Sequence, residues 1–478
     1  MGRVVLRLMT PCVIAVGTLL GCQLAAPRHD PAPVPRASDL DTLFRGEPRA
    51  DEEPASSAYQ RALSRLVTAA LRSGRLHPQR GLTVETPGGE VVIPVRYVGT
   101  TWHPDEVDEL QTTDCVSVRK HLKHHHTRCG WGVPVVGVSR DAGLRGAAEK
   151  FTNAFPHSIT LTAVFRPTPR PVLELVDATH HQTVDLGGAE RPLAADLSAP
   201  LAYAAQRARQ LAAEEDRPDV EFFKPNLDAD YNRLTGVEPY RPGTFPLVLI
   251  HGANSDNFTW LDTLNDLRTD PELVRRFQVM TFRYATGLAY PEATADLRDL
   301  GDEFVRVSDP AGADPALRHW VLIGYSLGGP VARLAVSSSG TAMWDAFSAT
   351  PFERMTLTAR TRARLARLFF FEPMPQVKTC VLIASPNDGG TPVSNTLFRL
   401  GAKFIRYPKE TEEAYRQLLA DNPTAIRREA RARIPTSLDT ISRDNWLIDA
   451  ARGLPVPADL RLHTIIGDGW MFGASDRV

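Results

Sequence analysis

At 478 residues, with 43% hydrophobic and 23% charged side chains, the chain is long enough for two globular domains plus tails. Lys and Arg number 55 against 56 Asp and Glu, a net charge of −1 that gives no electrostatic reason for a nucleic-acid partner.

The first stretch reads as an address. Arg3 and Arg7 precede an apolar run from Leu8 to Leu20, too short to span a bilayer and the right length for a signal-peptide core. It ends Leu19-Leu20-Gly21-Cys22, which resembles the bacterial lipobox, where the cysteine becomes the lipidated first residue. Residues 1–22 are therefore expected to be a lipoprotein signal, and 23–57, with Pro27, Pro31, Pro33 and Pro35, a stiff tether. That predicts an exported protein held at a membrane through Cys22, on the periplasmic or cell-surface side.

Tyr59, Ala62, Leu63, Leu66, Val67, Ala70 and Leu71 recur at helical spacing. From there to residue 200 the pattern changes to short strand-like runs at 90–98, 133–138, 158–165 and 172–176, a small β-rich accessory domain for which a sandwich is one arrangement. It carries no chemical motif. Cys115 and Cys129 would face a compartment that permits disulfides, and a bridge between them would close a loop holding His121, His124, His125 and His126. No carboxylate is interleaved in that cluster, Lys120 and Lys123 lie within it, and consecutive histidines cannot all face one ion. It reads as a solvated basic loop pinned by the disulfide rather than a zinc site. His180-His181 reads as the surface of a hairpin turn, and Cys380 as inert core.

Residues 201–243 form an Ala-rich helix and an irregular connector. From 244 onward strands and helices alternate, as in a mostly parallel sheet, with strands at 246–250, 278–283, 319–323, 379–384 and 461–466. Helices fall at 262–267, 293–307 and after Ser326. Two insertions, 340–378 and 386–458, exceed what a crossover needs and are expected to form a cap. In the first, Leu357, Leu365 and Leu368 share a segment with Arg360, Arg362, Arg364 and Arg367. That segment could shelter an acyl chain or present a solvated arginine face, and the sequence leaves both open.

Gly324-Tyr325-Ser326-Leu327-Gly328 follows the apolar run Val321-Leu322-Ile323 and precedes a helical face of Val331, Leu334 and Ala335. This is the Gly-x-Ser-x-Gly nucleophile elbow of the α/β-hydrolases: a turn too tight for ordinary neighbours lifts the hydroxyl clear of the sheet. Ser326 is the expected nucleophile and the Leu327 N–H one oxyanion donor. His251-Gly252-Ala253-Asn254 ends the preceding strand, and Ala253 is by position the second donor. His251 is expected to brace the turn, since the fold orders its residues Ser, acid, His.

From Pro246 to the end the chain resembles the lipase-like α/β-hydrolases related to the GPI inositol-deacylase group, in particular a bacterial lipoprotein branch. The resembling segments are 247–252, 282–287, 324–329, 371–373, 383–390, 435–439 and 463–468, in family order. The resemblance implies an α/β-hydrolase fold with a cap, and a serine hydrolase cleaving carboxylic esters through an acyl-enzyme. It assigns the acid to Asp476, with Asp468 and Asp388 as alternatives; Asn387 stands where the family commonly has His. The family's catalytic His lies beyond the acid, whereas here the chain stops two residues after Asp476 and His463 is its last histidine. The final strand and the catalytic His are thus expected to be missing, by truncation in preference to decay. The competing expectation is a catalytically inactive surface lipoprotein that binds a partner or ligand. An ester or lipid-like substrate is implied, and no metal or organic cofactor.

Overall fold

The computed structural model describes residues 34–49, 51–139, 149–151, 158–214, 231–253, 255–387, 407, 409–431, 434–442 and 445–466. Cys22, Asp388, Asp468 and Asp476 lie outside the described residues.

The stretch expected as tether, 23–57, holds a short helix, Ala37–Phe44, whose Leu40 and Leu43 are buried in the same core as the next helix. That helix, α1 (Ala58–Arg72), starts where the Ser57 hydroxyl accepts the Gln60 N–H, and buries the predicted stripe from Tyr59 to Ala70. That stripe packs on a five-stranded sheet built from β1 (Val95–Val98), β2 (Glu109–Thr112), β3 (Val133–Val138), β4 (Ser158–Arg166) and β5 (Val172–Asp177). The spatial order is β1-β5-β4-β3-β2, antiparallel except for the β1–β5 pair.

A sandwich is not what forms. Neighbouring residues of β3 point to opposite faces, Val135 into the cluster with α1 and Val136 into one with α2 (Ala199–Glu214). Helices therefore cover both faces. This explains why β4 is buried at every position from Ile159 to Phe165, Thr160 and Thr162 included.

The second sheet has six strands: β6 (Arg233–Gly236), β7 (Phe245–Ile250), β8 (Phe277–Arg283), β9 (Trp320–Tyr325), β10 (Val377–Ile383) and β11 (Arg461–Ile465). Their order is β6-β8-β7-β9-β10-β11, and only β6 runs antiparallel to its neighbour. On one face Val248, Ile250, Phe282 and Leu322 pack with α4 (Tyr290–Ser308) and α5 (Gly328–Ala335). On the other, Leu247 and Leu249 pack with Trp260, with α3 (Leu261–Leu267) and with α2. The apolar cluster around α2 also holds Val136 and Val138, so one continuous core joins the β-rich part to the second sheet.

The two insertions contribute α6 (Ala342–Phe347), α7 (Ala359–Phe369), α8 (Lys409–Asp421) and α9 (Trp446–Arg452). Phe347 stands at the centre, its ring 4.9 Å from Phe369 and 5.7 Å from Trp446. The fold is the α/β-hydrolase fold with a β-rich region ahead of it. Among the described residues no helix is long and apolar enough to cross a membrane.

Candidate active site

Ser326 lies between β9 and α5 with a φ of 52°, one of two non-glycine residues among those described that hold a positive φ. Its backbone is fixed from both sides: its N–H donates to the Ile383 carbonyl at 2.9 Å, and its carbonyl accepts the Gly329 N–H at 2.9 Å. Such strain persists only where the surroundings over-determine it. Here they do. A Cβ on Gly324 would stand 2.3 Å from the Gly328 carbonyl oxygen, and one on Gly328 would stand 2.3 Å from the Ile250 oxygen. The two glycines are therefore required by backbone contact between β7, β9 and α5.

The loop after β7 touches the same turn. A Cβ on Gly252 would lie 3.1 Å from that of Ser326, so Ala253 follows directly on the point of closest approach. Leu327 caps the N-terminus of α5 and is fully buried, while Ser326 and Ala253 are half-buried. The structure thus gathers Ser326, Leu327 and the 251–253 loop at the C-terminal ends of β7 and β9.

His251 is fully buried and braces this loop. Its Nδ1 meets the Gly252 carbonyl at 3.0 Å, and its Nε2 accepts the Tyr284 N–H at 3.4 Å. The Tyr284 ring stacks on it at 4.6 Å and donates its hydroxyl to the His251 carbonyl at 2.9 Å. Burial pushes the imidazole down to about 4, partly offset by the Gly252 contact. With both nitrogens engaged, His251 is a neutral structural residue. Tyr284, inside the 282–287 segment, is the bracing residue that the sequence pattern alone did not single out. His463 is exposed on β11.

Two segments of the resemblance meet in space. Thr436 pairs with Leu288 across an isolated bridge, and the Ser437 N–H donates to the Gly287 carbonyl at 3.1 Å. Thr436 and Asp439 also cap the short helix Ser437–Thr440 reciprocally. Beside this junction α7, α8 and α9 line a half-open apolar cavity of about 400 Å³ whose walls include Phe347, Leu357, Leu365, Leu368, Leu418 and Trp446, but not Ser326, Leu327 or Ala253. The arginine face of α7 is not wholly solvated. Arg364 pairs with Glu292 at 2.7 Å, and Arg367 with Asp296 and Asp299, all on α4. Those pairs dock α7 on α4 and turn its leucines into the cavity.

Three other sequence readings change. Cys115 and Cys129 are free thiols: Cys115 packs at the α2 cluster while Cys129 is exposed. The histidine loop is pinned instead by α3, where the Lys123 N–H donates to Asp262 at 2.9 Å and Asn265 donates to the His124 carbonyl at 3.0 Å. His180 is no surface residue; its Nε2 meets the Glu238 carboxylate at 2.8 Å between the two sheets. Burial opposes its charge, yet Glu238 and Asp177 hold its pKa up. Cys380 is fully buried, as expected of core.

The Alpha/beta hydrolase family matches residues 247–478. No curated protein matches the chain. Among solved structures, the mature lipase BlEst2 of Bacillus licheniformis is similar at 12% identity and a TM-score of 0.28, over 49% of this chain and 71% of that one. An inhibited esterase B of Lactobacillus rhamnosis shows 17% identity and a TM-score of 0.24, over 53% of this chain and 71% of that one. A butyrate-bound thermophilic esterase of Thermogutta terrifontis shows 13% identity and a TM-score of 0.23, over 49% and 76% respectively.

Proposed function

We propose that the chain is a serine hydrolase that cleaves carboxylic esters through an acyl-enzyme on Ser326. The observation that carries this reading is the turn itself. A serine held at φ 52° by two glycine contacts presents its hydroxyl at a strand end, with the Leu327 amide next in the chain. In the reaction the Ser326 Oγ bonds to the ester carbonyl carbon while its proton passes to a base, a role that His251, with both ring nitrogens engaged, does not fill. The carbonyl electron pair moves onto oxygen, facing the Leu327 and Ala253 N–H groups. Collapse breaks the bond to the leaving alcohol, which takes the proton, and water repeats the cycle to free the acid. The acid that orients the base is drawn from Asp476, Asp468 and Asp388, in that order of preference from the resemblance. The cap cavity suits the apolar tail of an acyl group, which extends the kinship to the inositol-deacylase-related lipoproteins towards lipid-like esters. Cys22 would carry the lipid that holds the protein at a membrane; Cys22→Ser should then release it into the soluble fraction.

The engagement of both His251 nitrogens favours a second reading, a protein that binds an acyl ligand in the cap cavity without turnover. Hydrolysis of p-nitrophenyl butyrate and octanoate by the full chain separates the two. Turnover lost in Ser326→Ala supports the enzyme. Saturable fatty-acid binding, unchanged in Ser326→Ala and without turnover in either protein, supports the binder.

A further inference from the structure

The three consecutive histidines ahead of the strand Thr127–Arg128 alternate in the partners they meet. His125 turns inward to the buried Asp196 at 2.9 Å, and His124 and His126 turn together to the other side. There they meet one carboxylate from the other part of the molecule, Asp266 on α3. The His124 Nδ1 lies 3.1 Å and the His126 Nε2 2.7 Å from the same Asp266 oxygen. The three ligand atoms all fall within 4.8 Å of one another. Two imidazoles and a carboxylate form a donor set suited to zinc and its first-row neighbours, and bonds of about 2.0–2.1 Å in a tetrahedral shell place ligand atoms roughly 3.3 Å apart. Both imidazole nitrogens already lie near that spacing from the carboxylate oxygen, and His124 and Asp266 are exposed side chains able to adjust.

We propose that His124, His126 and Asp266 bind a divalent transition-metal ion, Zn²⁺ foremost, which ties the β-rich part to the α/β-hydrolase part.

No carboxylate is interleaved among these histidines, lysines lie nearby, and consecutive histidines cannot all face one ion, yet only His124 and His126 face this one. Tertiary structure supplies the carboxylate from 140 residues away, and the Lys123 ammonium lies 3.5 Å from Asp262, which offsets its charge. The backbone that carries the two histidines is held firmly beneath the site. The buried Asn265 binds the His124 carbonyl, and the buried Ser198 hydroxyl accepts the His126 N–H at 2.8 Å while donating to Asn265 at 2.7 Å. Supporting hydrogen bonds of this kind fix ligand orientation. Each imidazole would bind as its neutral tautomer, with the proton on the ring nitrogen away from the ion. His124 and Asp266 are exposed, which leaves the remaining coordination positions to water.

The test is calorimetric titration of the full-length protein with Zn²⁺ in a non-chelating buffer, repeated with Co²⁺ and read by visible absorption. One ion per chain is expected, with affinity lowered about tenfold or more in His124→Ala and in Asp266→Asn. Zn²⁺ should raise the melting temperature of the parent, an effect reversed by EDTA and absent in Asp266→Asn. His124→Ala removes an exposed ring and Asp266→Asn keeps the side-chain shape, so circular dichroism should show both folded. Failure of the folded parent to bind, or binding of equal strength in the folded variants, would overturn the site.

Discussion

A methyl group placed on Gly252 would sit 3.1 Å from the Cβ of Ser326. The loop after β7 and the turn after β9 therefore touch without a side chain between them, which the proposed pairing of the Ala253 and Leu327 amides as oxyanion donors requires. Gly252→Ala can be accommodated by a shift of a few tenths of an ångström, which moves the donor more than it disturbs the core. The expected result is an unchanged fold with labelling of Ser326 by a fluorophosphonate slowed about tenfold, on the scale of a weakened oxyanion donor.

Gly324 presents the harsher contact. A Cβ there would meet backbone, the Gly328 carbonyl 2.3 Å away, and backbone at a strand-to-helix junction cannot yield as a side-chain tip can. Gly324→Ala should cost about 2–3 kcal/mol of stability by denaturant titration, the upper range for forced overpacking. An equal effect on Gly312→Ala, where nothing lies within 4 Å but φ is positive, would show that backbone strain rather than the close approach sets the loss.

His251 gives the site a pH signature. Its pKa falls from the ordinary 6.5 to about 4 because burial disfavours the charged ring. In this window the unfolded chain binds the proton and the folded one does not. Stability is complete above about pH 6.5, declines as pH falls, and by pH 4 has lost about 3 kcal/mol from this group. Denaturation at pH 7 and pH 4.5 should show that loss in the parent and a smaller one in His251→Gln.

How far these relationships were legible in the sequence depended on their range along the chain. The five parallel strands of the second sheet and the elbow at Ser326 are local patterns, apolar runs punctuated by glycine, and they fall where the periodicity places them; β6, a four-residue antiparallel edge inside the expected connector 201–243, is too short and polar to show such a pattern. The sandwich failed because alternation cannot say whether a helix or a sheet covers the second face of β4. His124 and Asp266 are 142 residues apart, and His180 and Glu238 lie in different parts of the fold, so no local pattern could pair them. The arginines of α7 carried a sign but not their partners on α4. Asp476, Asp468 and Asp388 rest on the resemblance alone, since they lie outside the described residues.

The cap cavity predicts a chain-length preference. Leu365 and Leu368 line it from α7, and Leu418 from α8. Leu365→Trp adds bulk to a space of about 400 Å³, which should exclude long tails while sparing short ones. Binding of a fluorescent C12 fatty acid should weaken about tenfold or more, while labelling of Ser326 by a small phosphonate stays near the parent rate. Equal loss of both would mean that the substitution has disturbed the sheet rather than the cavity.

Among the described residues β11 is the outermost strand on one side of the second sheet. β11 pairs with β10, and among the described residues nothing pairs with its outer edge. Leu462 and Ile466 point to one face and Ile465 to the other, and they are 41%, 40% and 54% exposed. An edge with free N–H and C=O groups and apolar side chains on both faces is a template for a second chain. The 478-residue protein should therefore self-associate with rising concentration through β11. Ile465→Lys places a charge on that edge at an exposed position, so it should suppress association with little effect on the melting temperature. Light scattering across a concentration series would check this. A parent chain that stays monomeric throughout the series would mean that the edge is covered.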